Sequence, residues 1–186
     1  MIVGIVGDMG SGKTLLMTAL LLNDSKEKKG IFTNYNVKFP RKLLDIHEVE
    51  NLFTIDLKSK ISFGIDEMHI FMDSRSASKN RVISYWILQT RKRGIDLYYT
   101  TQYFHQIDRR LRNATLYKIE CNNYGDEKSP NLMFSVFKRV EMNDDEIWTP
   151  IKDFIIADIH KYFKFYDTTE LINPFEGKPK FLESSL

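Results

Sequence analysis

The sequence predicts an α/β fold: a mainly parallel β-sheet flanked by helices, with an antiparallel hairpin at one edge. Three observations predict it. IVGIV (2–6) and ISFGIDE (61–67) are apolar, β-branched runs of the kind that strands buried on both faces carry. Helical segments separate such runs, and strand–helix–strand alternation favours parallel strands with crossover helices. Further on, TLYKIEC (115–121) and LMFSVFKRVEM (132–142) flank the turn-rich NNYGDEKSPN with no helix between them, which reads as a hairpin.

In chain order, the first strand runs into a glycine-rich turn and then TLLMTALLLND (14–24), a helix that Asn23-Asp24 stops. KEKKG (26–30) is a solvated turn. IFTNYNV (31–37) is a strand with a polar exit, and RKLLDIHEVENLF (41–53) has helical spacing after Pro40. The strand at 61–67 ends in two acids. Residues 74–94 form the next predicted helix: Val82, Ile83, Trp86 and Ile87 recur at helical spacing, and Gly94 stands where a C-terminal glycine belongs. IDLYYTTQ (95–102) is a strand with a polar end, and QIDRRLRNA (106–114) a short basic helix or turn. After the hairpin, Pro150 precedes a predicted helix and an irregular tail. The 186 residues fit one domain, 1–172, followed by a polar tail, 173–186.

Composition narrows the classes. With 42% hydrophobic and 28% charged residues, the chain reads as a soluble globular protein. No apolar run approaches the ~20 residues that span a bilayer, and the N-terminus lacks the basic start of a signal peptide. The single cysteine, Cys121, can form no internal disulfide; it reads as a small strand residue in a reducing compartment. A net charge of +2 predicts no global pull toward nucleic acid. Local charge is denser: Arg91, Lys92, Arg93, Arg109, Arg110 and Arg112 fall in one short stretch. With Tyr98, Tyr99, Tyr103 and Phe104 they could touch a nucleic-acid backbone, although such aromatics more often belong to the core.

The chemistry begins at GDMGSGKT. Gly7, Gly12, Lys13 and Thr14 complete the pattern G-x-x-x-x-G-K-[ST]. Its glycines let successive backbone N–H groups face phosphates, and the following helix adds its positive end. Gly7, Asp8, Met9, Gly10, Ser11, Gly12, Lys13, Thr14 and Leu15 are therefore the candidate nucleotide-binding residues. Lys13 would reach the β/γ-phosphates, and the Thr14 hydroxyl would hold Mg²⁺. Asp66 and Glu67 end a buried strand. Asp66 is the second candidate metal group, and Glu67 the candidate base for the attacking water. A glutamate there favours an ATPase over a GTPase switch, and no N-K-x-D guanine-reading sequence is present. Gln102 ends the 95–102 strand, where ligands of open α/β sheets bind, and could position phosphate or water. Arg91, Arg93 or Arg112 could reach a neighbouring subunit's γ-phosphate. His69, beside the acids, reads first as structural; His47, His105 and His160 are too dispersed for a metal cluster.

Together, in order, G-D-M-G-S-G-K-T, F-T-N-Y-N, I-D-E-M-H-I-F, R-K-R-G-I-D-L-Y-Y-T-T-Q, Q-I-D-R-R-L-R-N and Y-D-T-T-E resemble the Zot-like branch of the FtsK–HerA superfamily. That branch includes filamentous-phage assembly ATPases and is similar to viral genome-packaging ATPases. The match spans roughly residues 1–120, with an echo at Tyr166-Asp167-Thr168. It implies a RecA-like P-loop core, ATP and Mg²⁺ as ligands, a hexameric or other ring with nucleotide between subunits, and a motor that moves DNA. It implies phosphate and Mg²⁺ binding by Lys13 and Thr14, the second acidic motif at Asp66 and Glu67, a polar sensor at Gln102, and an arginine near Arg93 or Arg112 acting in trans. Many Zot-like assembly proteins carry a membrane span after the ATPase domain, and this sequence has none. The expectation is therefore a packaging ATPase in the cytoplasm of an infected host cell, working with DNA and a capsid or portal protein. The competing expectations are a virion-assembly or secretion ATPase acting on a membrane or protein partner, and a nucleotide kinase, which the acid pair and Gln102 disfavour.

Overall fold

A computed structural model describes residues 1–27, 29–43, 60–75, 81–90, 92–126, 129–142, 145–157 and 159–167. The strands are β1 (Ile2–Val6), β2 (Gly30–Thr33), β3 (Lys42–Leu43), β4 (Ile61–Ile65), β5 (Ile95–Thr101), β6 (Tyr117–Asp126), β7 (Ser129–Met142) and β8 (Asp145–Ile156). The helices are α1 (Lys13–Lys26), α2 (Arg81–Gln89), α3 (Arg109–Ala114) and α4 (His160–Phe163). All the described strands join one sheet, in the order β3-β2-β4-β5-β1-β6-β7-β8. Strands β3 through β6 of that order pair in parallel, and β7 and β8 add antiparallel. The expected parallel sheet with an antiparallel edge is therefore present.

The two faces are covered separately. Leu15, Leu16, Met17 and Leu21 of α1 pack with Val3, Ile5, Tyr98, Ile119 and Phe134 on one face. Trp86 and Ile87 of α2 and Leu111 of α3 pack with Ile2, Phe63, Leu97 and Tyr99 on the other. Phe63 meets Trp86 edge to face at 4.8 Å, an arrangement aromatic quadrupoles favour. At the end of α1, the buried Asp24 accepts from Lys29 Nζ at 2.7 Å and from Ser62 Oγ at 2.6 Å, which satisfies its charge. No helix among the described residues is long and apolar enough to cross a membrane.

The structure corrects several expectations. Among the described residues, the segment after Pro150 is no long helix: Asp145–Ile156 is the edge strand β8, and His160–Phe163 alone coils. Its side chains alternate, with Phe154 and Ile156 against the core and Asp153 and Ile155 exposed. Proline, which opens helices well, is also tolerated on an edge strand; here it lies beside a register shift opposite Val136/Phe137. The hairpin strands are longer than expected and absorb most of the assumed loop. Strand β2 stops at Thr33, so Asn34 turns out of the sheet. Lys42–Leu43 is a short strand where the 41–53 helix was expected; residues 44–59 lie outside the described residues. Ser74 and Arg75 sit in a turn, and α2 is described from Arg81. Gly94 does close that helical region: it has φ 65°, and Ile95 N donates to Thr90 O at 3.0 Å across it. Arg91 and the 173–186 tail lie outside the described residues.

Candidate nucleotide site

The site follows from strand order. Strand β5 lies between β1, which carries the glycine loop, and β4, which carries the acids. The register pairs Ile65 with Tyr99, and Val6 with Thr101. One residue further, Asp66 and Gly7 flank Thr100–Gln102 at the carboxyl edge, where open α/β sheets bind ligands.

The glycine loop needs its glycines. A side chain at Gly7 would place Cβ 2.5 Å from the Cys121 carbonyl oxygen, so the backbone of β6 leaves room only for hydrogen. Gly12 caps α1 at φ 88°, a left-handed conformation, and its Cβ would lie 2.2 Å from Leu132 Cδ1. Leu16 N donates to Gly12 O at 2.9 Å; the amides of Lys13, Thr14 and Leu15 precede this first helical bond and point from the helix end. They face an anion with the helix's positive end behind them. The Leu15 side chain itself is buried in the core, so only its amide can serve a ligand. Asp8, Met9 and Gly10 form the exposed tip, while Ser11 is buried. Lys13 Nζ donates to Gly7 O at 2.9 Å and Asp8 O at 2.8 Å, which holds the ammonium across the loop's mouth.

Hydrogen bonds join this loop to the acids. Thr14 Oγ1 donates toward Asp66, at 3.0 Å from Oδ1 and 3.1 Å from Oδ2. Thr100 Oγ1 donates to Asp66 Oδ1 at 2.5 Å and accepts from Glu67 N at 2.9 Å. The Asn34 amide grips the Asp66 backbone from the other side, accepting from its N at 2.8 Å and donating to its O at 2.9 Å. Burial pushes the Asp66 carboxyl above its ordinary value, and the Glu67 charge adds to this; Thr100, Thr14 and the Lys13 charge oppose it. Such a carboxylate is better served with a cation beside it. Among the described residues no group of three or more His, Cys, Asp or Glu could hold a metal. A hydroxyl and one carboxylate do fit Mg²⁺, which keeps waters and takes phosphate oxygens for the rest of its shell; Thr14 and Asp66 would hold it.

Glu67 is the one non-glycine with positive φ among the described residues, at φ 52° and ψ 50°. That conformation costs about 1–3 kcal/mol and clusters at functional sites. The Thr100 bond to its amide and the turn bond from Ile70 N to its O, at 3.0 Å, hold it there. His69, on the 3-10 turn Met68–Ile70, places Nδ1 3.2 Å from Glu67 Oε2.

The structure thus brings Lys13, Thr14, Asp66 and Glu67 to one edge. Gln102 lies at that edge, half-buried, but the hydroxyl two residues earlier makes the described bonds to the acids. Arg93 precedes β5, whose 7 residues separate it from the acid edge; at ~3.3 Å per residue that is about 23 Å. Arg112 donates from Nε to Ile107 O at 3.1 Å. Tyr98 and Tyr99 are buried and cannot face a polyanion; Phe104 packs on Trp148 at 5.3 Å, and Tyr103 is exposed. Burial pushes the Cys121 thiol up to about 12, in keeping with its structural reading.

Sequence reasoning assigned no role to Asn34, Thr100 or Tyr166. Tyr166 is buried beside α1, bridges Val37 and has its phenol pushed up to about 12 by burial, with the Asp66 charge adding to the shift. The signals were the T-N, T-T-Q and Y-D-T sequences, but strand order alone shows what they touch. Replacing Thr100 with Val keeps shape and removes both bonds. The expected result is a loss of about 1.5–3 kcal/mol, roughly 10- to 150-fold in ATP turnover, with Ser restoring most of it; steady-state kinetics on the two variants checks this.

The same architecture occurs in solved proteins. The N-terminal domain of zonular occludens toxin from Neisseria meningitidis matches with a TM-score of 0.62 at 22% identity, over 89% of this chain and 98% of that one. The genome-packaging NTPase B204 from Sulfolobus turreted icosahedral virus 2, in complex with ATP-gammaS, matches with a TM-score of 0.57 at 12% identity, over 81% and 96%. The fold is that of a RecA-like P-loop protein. A KaiC-like protein from Pyrococcus horikoshii shares it, with a TM-score of 0.53 at 12% identity over 81% and 84%. No protein-family model and no curated protein matches the sequence. In this P-loop fold, the loop after β1 and the acids after β4 are the residues traced above, and β5 lies between them.

Proposed function

We propose that the chain is a P-loop ATP hydrolase that drives DNA movement during genome packaging. The observation that carries the hydrolytic part is the bonded path from Thr14 through Asp66 and Thr100 to Glu67. It ties the phosphate loop to a metal-holding carboxylate and to a candidate base. Lys13 and the α1 amides bind the phosphates. Thr14 and Asp66 would hold Mg²⁺, which when bound supplies positive charge against the phosphates. Glu67 takes a proton from the attacking water, whose oxygen bonds the γ-phosphorus as the bond to the ADP oxygen breaks. ADP and inorganic phosphate leave.

The packaging part rests on the resemblance and on the likeness to B204. In this reading, copies assemble as a ring, a hexamer by resemblance, with nucleotide between subunits and an arginine, Arg93 or Arg112, reaching across. A capsid or portal protein would receive the DNA in the host cytoplasm. Arg93 favours a role in trans, because it stands far from its own loop. Mixing the Arg93→Ala or Arg112→Ala protein with Glu67→Gln protein is expected to restore turnover at mixed interfaces for the arginine that acts; two inactive mixtures would remove both from that role.

The likeness to the zonular occludens toxin domain over 98% of its length favours a second reading, a virion-assembly or secretion ATPase acting on a protein or membrane partner. ATP hydrolysis measured with and without single- and double-stranded DNA across salt separates the two. Stimulation that fades as salt rises marks a motor gripping phosphates. Turnover indifferent to DNA supports the second reading.

A further inference from the structure

We infer that His69 is a positioning residue for Glu67, fixing the direction of the carboxylate that activates water; this rests on the ATP-hydrolase reading. Nδ1 of His69 lies 3.2 Å from Oε2 of Glu67. The side chains are 28% and 30% exposed, yet these two atoms are closed to solvent, and neither has an aligned hydrogen-bond partner among the described residues. Among the described residues, each polar atom thus has only the other to offset its loss of water. The pair is close but not in line, as catalytic hydrogen bonds often are before substrate tightens them.

The backbone presents the imidazole from a fixed place. Met68 and Met72, on either side of His69, are buried at 1% and 0% exposure. The following chain is strapped to the segment before α3: Ser74 N donates to Gln106 O at 2.8 Å, Asp108 N donates to Met72 O at 2.8 Å, and Asp73 bridges Ile107. The Glu67 amide is tied to Thr100, and its left-handed backbone turns the side chain toward the same turn. A glutamate otherwise has three rotatable bonds. A base must direct one oxygen at a water, and misplacement of about 1 Å can cost 10²-fold. With Nδ1–H on Oε2, Oε1 is the oxygen that accepts the water's proton.

The test uses the full chain with ATP and Mg²⁺. His69→Ala is expected to lower kcat about 10- to 100-fold, while the Kd for a fluorescent ATP analogue and the thermal midpoint stay at wild-type values. His69→Asn, whose amide nitrogen falls near the Nδ1 position, is expected to recover most of kcat. A His69→Ala kcat within about twofold of wild type would overturn the proposal. So would a parallel loss of affinity and stability, or an Asn variant no better than Ala. Wild-type protein that hydrolyses no ATP, with or without DNA, would instead bring down the hydrolase reading and this inference with it.

Discussion

Replacing Glu67 with Gln is expected to lower ATP turnover by about 10²–10⁴-fold while leaving nucleotide affinity near wild type. The substitution keeps size and shape and removes only the ability to take a proton. It spares the phosphate loop, because Lys13 and Thr14 make no described bond to the Glu67 side chain. It spares the local backbone, because the bond that Thr100 accepts comes from the Glu67 amide. Glu67→Ala would be a poorer probe: it also removes the partner of His69 and alters a residue at φ 52°. The measurement is kcat beside a direct Kd for an ATP analogue. Unchanged kcat would take Glu67 out of the base role, and lost affinity would make it a binding residue.

Much of this site was legible because its determinants are local. The eight residues GDMGSGKT carry their own chemistry: glycines where the backbone must bend, a lysine, and a hydroxyl at a helix start. Asp66-Glu67 was legible because it ends an apolar run. What could not be read was anything set by strand order. Thr100 matters because β5 lies between β1 and β4, and nothing within IDLYYTTQ says so; Gln102 drew attention instead as the last polar residue. Asn34 matters because β2 stops at Thr33 beside β4, releasing its side chain onto the Asp66 backbone. The edge strand β8 is not legible in the sequence: Pro150 reads as a helix start, and Phe154, Ile155 and Ile156 are all apolar, so the alternation of burial from Asp153 to Ile156 appears only once the strand lies on the sheet edge. Propensity is a weak guide at an edge, where packing on one face decides.

Replacing Asp66 with Asn should separate stability from function. Burial raises the Asp66 carboxyl above its ordinary value. A raised carboxyl is a group whose charged form the fold disfavours. Its contribution to stability is fully present below the unfolded-state value and is lost as pH rises through the higher folded-state value. At neutral pH, above the unfolded-state value, the carboxyl therefore opposes folding, held in place by the Thr14 and Thr100 hydroxyls. Asn accepts from Thr100, can donate to Thr14 Oγ1, and carries no charge to bury. The expected result, without Mg²⁺ or nucleotide, is a higher thermal midpoint at neutral pH; about 1 kcal/mol would move a domain of this size by about 2–4 °C. The gain should shrink toward acid, where wild-type Asp66 is neutral in both states. Turnover should fall by about 10²-fold or more, since a neutral amide would hold a divalent cation far more weakly than a carboxylate. A lower midpoint at neutral pH would mean that the hydroxyl bonds to the charge outweigh its desolvation. A midpoint gain with full turnover would place the metal elsewhere. Gain and loss together would mark Asp66 as a residue kept at the expense of stability, as buried charges at working sites often are.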